Sequence, residues 1–353
     1  QEAEFTAPVV FNTSIVQRTD GSKIVDIYYD LFDANGDNCE IGLKLSEDGG
    51  NTFNIIPSPA FLTGDIGQNI APGFGKHIIW DAGAESRDFD ASQFMASFTA
   101  EDGQWPMPEN FVFVQGGTFN NGTSDVTISS FYIDKYELTQ AGYQAVMGSN
   151  PASGYGVGSN YPVYYVSWFN AIEYCNRRSV LEGLTPCYSY STYGTNPDDW
   201  PSGWNTNHTN VNCNWSANGY RLPTEMEWQF AARGGNQTHN YSYSGSNDLN
   251  DVGWYWDNWG SANNSTHSVG ALAANELGTF DMSGNVWEWV WDIYGSYPSG
   301  SQTNPTGANS GSYRVDRGGG WGFSAVNCTV SQRNNSYATS GNADIGFRCV
   351  RVS

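Results

Sequence analysis

Glu288 stands between Trp287 and Trp289, just after the tight Ser283-Gly284-Asn285 turn. Val286 and the two indoles call for a core, where an unpaired carboxylate is costly to bury. Two kinds of chemistry resolve the conflict. The carboxylate can hold a cation, with the turn offering main-chain carbonyls of the kind that Ca2+ accepts. Alternatively it points to solvent or pairs with an arginine, and Arg317 and Arg348 are available. Residue types alone leave both open.

Other reactive groupings are sparse. The four histidines, His77, His208, His239 and His267, have no close spacing between any two. The chain contains no Ser/His/Asp grouping, phosphate-binding loop or CxxC motif. The paired acids Asp198-Asp199 lie in a turn-rich stretch and suit solvent. Spacing also leaves the pairing of six cysteines open.

Five segments stand in one order: Gly219-Tyr-Arg-Leu-Pro-Thr-Glu-Met-Glu-Trp228, Ala231-Ala-Arg-Gly-Gly235, Gly284-Asn-Val-Trp-Glu-Trp289, Arg317-Gly-Gly-Gly-Trp321 and Gly346-Phe-Arg348. This order resembles the formylglycine-generating-enzyme (sulfatase-modifying factor) family over about 250 residues, from near Asn110 to the end. The resemblance implies a variant C-type lectin fold with little regular secondary structure. It implies a structural Ca2+ held by the carbonyls of Ser283, Gly284 and Val286 and by the Glu288 carboxylate. It also implies a bridge between Cys175 and Cys349. Cys187 and Cys213 flank a loop region that they can close, and Cys39 and Cys328 are left over.

The resemblance fails at the reaction. The enzymes of the family oxidise a target cysteine with two copper-binding cysteines five residues apart. Here Cys328 falls on the second position, Phe323 on the first, and Gly320 on the family serine. A phenylalanine supplies no thiolate for copper or for a mixed disulfide. These positions are therefore read as degenerate and the chain as a non-enzyme, because kinship of fold does not confer activity.

Composition bounds the partners. With 15 basic against 36 acidic residues the formal charge is −21, which excludes the basic footprint that nucleic acid requires. It argues equally against anionic lipid, and no apolar run approaches a membrane span. Acidity, few lysines and the sequons at Asn121, Asn207, Asn214, Asn236 and Asn264 suit an oxidising, secreted or cell-surface setting. Forty-one glycines and 15% aromatics suit strands and loops rather than a helical bundle.

The elements follow from pattern. The expected fold is α+β and all-β in two parts. Residues 12–103 read as an immunoglobulin-like β-sandwich, with strands at 24–32, 41–45, 76–80 and 94–100, and a hairpin turn at 47–50 leading to Thr52-Phe53. Residues 104–109 form a proline-stiffened linker, and 110–353 form the enzyme-like domain. Ser167 caps a helix with Trp168, Ala171, Ile172 and Cys175 on one face. Thr224 and Glu227 form a capping box ahead of a helix stopped at Gly234-Gly235. Residues 188–218 and 294–312 read as surface loop.

Residues 1–11 read as an extended strand, either completing their own sandwich or donated to a neighbour's open edge. The leading expectation is a non-enzymatic extracellular subunit that assembles into a filament or layer through this strand, a homo-oligomer. Two alternatives stand beside it. One is a lectin-like receptor for a protein or glycan ligand, since residues 322–343 resemble the variable segment of diversity-generating retroelement proteins. The other is the copper-dependent oxidase.

Overall fold

The computed structural model describes residues 8–33, 38–85, 94–101, 110–258 and 265–352. Two compact units divide the chain, Gln1–Pro108 and Glu109–Ser353.

Among its described residues, the first unit has seven strands in two sheets. One sheet has the order β1-β2-β6-β4, with β1 Val9–Gln17, β2 Ile24–Phe32, β4 Leu62–Gly64 and β6 Gly73–Asp81. The other has the order β5-β3-β7, with β3 Cys39–Ser46, β5 Gly67–Ile70 and β7 Met95–Glu101. Alternation along the strands turns Val25, Ile27, Ile78 and Trp80 of one sheet and Cys39, Ile41 and Leu45 of the other into a single core. The four strands expected from β-branched and aromatic content are present, β1 extends the strand expected up to Phe11, and β4 and β5 are additional. The turn at 47–50 also forms, with Gly49 and Gly50 at positive φ and Asp48 accepting hydrogen bonds from the main chain and hydroxyl of Thr52. Its return partner differs from expectation. Leu45 bridges to Ile55 rather than to Thr52-Phe53, because the Asp48 carboxylate holds Thr52 inside the turn.

The N-terminal strand requires a correction. Val9, Val10 and Phe11 pair antiparallel with Phe32, Leu31 and Asp30 of the same chain. The β-prone end of the expected donor strand is therefore spent at home, where it satisfies the backbone edge of β2. The sandwich begins before residue 12, and residues 1–7 lie outside the described residues, as do 104–109.

The second unit has short elements. Strands β8 Phe111–Val114, β9 Gly117–Asn120, β10 Asp125–Ile128 and β11 Phe131–Asp134 precede α1 Gln140–Met147 and α2 Trp168–Leu181. Ser167 caps α2 with a reciprocal Asn170 contact, and Trp168, Ala171, Ile172 and Cys175 are all buried. The stretch 188–218, expected as loop, pairs β12 Tyr188–Tyr190 with β13 Val211–Cys213. Helix α3 Glu225–Ala232 carries the Thr224/Glu227 capping box and stops before Gly234 at φ 88°. A short helix, α4 Leu249–Val252, follows.

The remaining strands close the unit: β14 Trp287–Ile293, β15 Gln302–Thr303, β16 Arg314–Arg317, β17 Arg333–Ser336, β18 Ile345–Gly346 and β19 Val350–Val352. The sheet β17-β16-β14-β18 carries the central motif, and β19-β11-β8 ties in the C terminus. Trp228, Val290, Val315 and Val350 share the core between these sheets and α3.

Candidate functional site

Strand β14 turns Glu288 toward α3 and the core, where its exposure is zero. Arg348, equally buried, forks onto it with Nε to Oε2 at 2.7 Å and Nη2 to Oε1 at 2.7 Å. Trp228 adds an indole hydrogen bond to Oε2 at 2.8 Å. Arg348 also donates to the carbonyls of Asp134, at 3.1 Å, and Phe280, at 2.8 Å, which fixes the fork. The costly carboxylate is thus satisfied by an arginine in bidentate geometry.

The turn before it is strained in a manner that the sequence requires. Gly284 has φ 93°, and a Cβ there would come within 2.4 Å of the Trp254 carbonyl. Asn285 sits at φ 58° with its N–H bonded to that carbonyl. Its amide donates to Glu137 at 2.6 Å, and Val286 N–H donates to the other Glu137 oxygen at 3.0 Å. Burial, with repulsion from Asp281 and Glu288, pushes the Glu137 carboxyl well up, and burial raises Asp281 to about 6. Ser283, Val286 and Asn285 are fully buried.

A calcium ion was expected at Ser283, Gly284, Val286 and Glu288. The Glu288 carboxylate does not fit that role, because both oxygens are engaged and a cation on them would face the Arg348 guanidinium. Among the described residues no group of three or more His, Cys, Asp or Glu side chains is disposed to hold a metal.

The degenerate catalytic positions adjoin, with the Phe323 N–H donating to the Gly320 carbonyl at 3.0 Å, but differ in what they pack against. Phe323 packs edge-on against Trp287, with centroids 5.5 Å apart. Gly320 lies beneath the same indole. Cys328 is fully buried with Leu249, Val252 and Tyr255 of an apolar cluster. Burial pushes its thiol up to about 12, so it is a neutral core residue at ordinary pH. Gly319, at φ 80°, makes room for it: a Cβ there would lie 2.5 Å from the sulfur.

Cys175 and Cys349, the pair that the resemblance implied, lie close together. The Cys175 and Cys349 sulfurs lie 3.8 Å apart, both buried, as thiols. Cys213 pairs in register with Tyr188, which places it beside Cys187 across β12 and β13, again as thiols.

Sequence reasoning missed Trp228 and Glu137 as partners of the motif. It also missed Glu225, buried between Arg333, at 2.6 and 2.7 Å, and Arg317, at 3.3 Å. Glu137, between Tyr136 and Leu138, repeats the acid-among-apolars signal of Glu288 and was legible by the same argument.

Comparison with known proteins agrees with this architecture. The model of the sulfatase-modifying factor enzyme 1-like domain matches residues 97–353. A chaperone protein LppX of Paenibacillus barcinonensis is 40% identical over 274 residues, covering 72% of this chain and 94% of that one. The formylglycine-generating enzyme of Mus musculus is 26% identical, covering 67% and 73%. The solved structure of Treponema denticola variable protein 1 superposes with a TM-score of 0.60 at 31% identity, over 69% of this chain and 95% of that one. Because the family model matches residues 97–353, most of its length, the chain belongs to the sulfatase-modifying factor enzyme 1-like family.

Proposed function

We propose that this chain is a non-enzymatic, secreted or cell-surface protein whose second unit serves binding or assembly. One observation carries the reading: Phe323 stands where the family's first thiol would, and Cys328 is a buried, neutral core residue. Two-thiol copper chemistry needs exposed thiolates, and neither position offers one. The 40% identical relative is named a chaperone, which supports a binding role. The acidic composition supports the location, and no helix among the described residues is long and apolar enough to cross a membrane. The test is incubation with copper and a cysteine-containing sulfatase peptide. No formylglycine is expected by mass spectrometry, and its appearance would overturn the proposal.

In this reading the first unit is an immunoglobulin-like spacer, supported by its two sheets of antiparallel strands over one core. Assembly into a filament or layer uses the N-terminal segment ahead of β1. A receptor for a protein or glycan ligand is the second reading. Aromatic side chains within or beside 322–343 favour it: Tyr337 is 55% exposed and its ring contacts that of Tyr313 at 4.5 Å.

A structural Ca2+ on the carbonyls of Ser283, Gly284 and Val286 is a further part of the proposal, and the Arg348 fork argues against Glu288 as a fourth ligand. At a hundredfold excess over Kd such an ion stabilises by about 2.7 kcal/mol. Chelation should then lower Tm by several degrees, reversibly with Ca2+. An unchanged melting curve leaves the fork as the whole explanation of the motif.

A further inference from the structure

The first unit has an unfilled flank. Strand β5 covers the outer edge of β3 at Cys39 and Ile41, and Ile55 covers it at Leu45. Both N–H and C=O of Leu45 bond to Ile55, so by alternation those of Leu43 point the same way, into the gap between these two partners. Pro57 and Pro59 lie in the segment that crosses this flank, and proline offers no N–H to close the gap. Beside Leu43 opens a groove of about 570 Å3, walled by Ile56, Pro59, Leu62 and Ile66 with Lys44 on its lining. Ile56 is 60% exposed.

Phe5 of the same chain cannot fill it. Val9 pairs with Phe32, at the end of the sheet where Leu31 meets Gly73. Leu62 pairs with Trp80, at the other end and on the opposite edge. Seven residues along and three strands across amount to roughly 27 Å. Phe5, the large apolar residue of Gln1–Ala7, lies four residues before Val9 and reaches at most about 14 Å.

We propose, resting on the assembly reading above, that this groove accepts the Gln1–Ala7 segment of a second copy. Phe5 seats among Ile56, Pro59, Leu62 and Ile66, the extended backbone bonds to Leu43, and Glu2 or Glu4 faces Lys44. Donor and acceptor occupy opposite flanks, so the relation is head-to-tail and propagates.

Three forms of the full chain test this: the parent, a deletion of residues 1–7, and Ile56→Glu at an exposed position that the fold tolerates. Sedimentation over a concentration series should show oligomers for the parent and at least tenfold weaker association for each variant. Mixing the two variants should give a one-to-one pair and nothing larger, since each supplies what the other lacks. Variants that assemble like the parent would overturn the groove while leaving assembly standing through another surface. If the parent is monomeric throughout, a labelled peptide of residues 1–8 decides. Saturable binding to the deletion form that is lost in Ile56→Glu upholds the groove, with the assembly reading gone. No binding ends both.

Discussion

At the scale of single residues, the second unit holds more buried charge than its arginines answer. Glu288 has Arg348, and Glu225 has Arg333 and Arg317. Asp316 on β16 is fully buried without a hydrogen-bond partner in good geometry. Burial pushes its carboxyl up to about 7; repulsion from Asp344 adds to this, and the nearby Ser336 and Asn334 side chains oppose it. A carboxyl raised in the fold binds its proton more tightly there than in the unfolded chain. Its contribution is therefore intact below the ordinary value near 4 and is lost as pH rises from there to about 7. Asp316→Asn should accordingly raise stability at pH 8 by on the order of a few kcal/mol and change it little at pH 4. Denaturant melts at the two pH values measure this, and an equal effect at both would assign it to packing.

At the scale of elements, α2 meets the residue just before the C-terminal strand β19 in the contact of Cys175 with Cys349. These residues stand 174 positions apart, and their sulfurs are already in contact at 3.8 Å. Little backbone movement separates that contact from a bond. In the chain-entropy model a closed loop of this length stabilises by about 5 kcal/mol. Non-reducing peptide mapping of protein from an oxidising source is expected to recover the Cys175–Cys349 bridge, with Cys328 free. Two free thiols in undamaged protein would show that burial alone ties the elements. The helices themselves depend on local chemistry: the Ser167/Asn170 and Thr224/Glu227 boxes satisfy the first-turn N–H groups that the short helices leave open.

At the scale of the whole molecule, each unit has a core of its own, around Trp80 in the first and around Trp228 in the second. Separate cores predict separate unfolding. Trp80→Ala should cost about 3–5 kcal/mol and move only the first unit's calorimetric transition, leaving the second in place. A single transition shifted as one would mean that the units unfold as one cooperative body.

How much of this was legible in the sequence depended on the range of the interaction. β-branched and aromatic runs, with alternation in β3, located β2, β3, β6 and β7, and cap residues located α2 and α3, because those signals are settled within a few residues. The family order likewise marked the second unit and its degenerate positions, since Phe323 cannot be a thiolate in any fold. What stayed open needed partners far along the chain. Residue types left arginine, solvent and cation open for Glu288 until folding brought Arg348 to it across 60 positions and Trp228 across another 60. Val9–Phe11 read equally as donated or retained, because a strand's own residues do not say which edge is free. That choice fell to the pairing with β2, where the unpaired backbone groups of a neighbouring strand in the same chain were nearest.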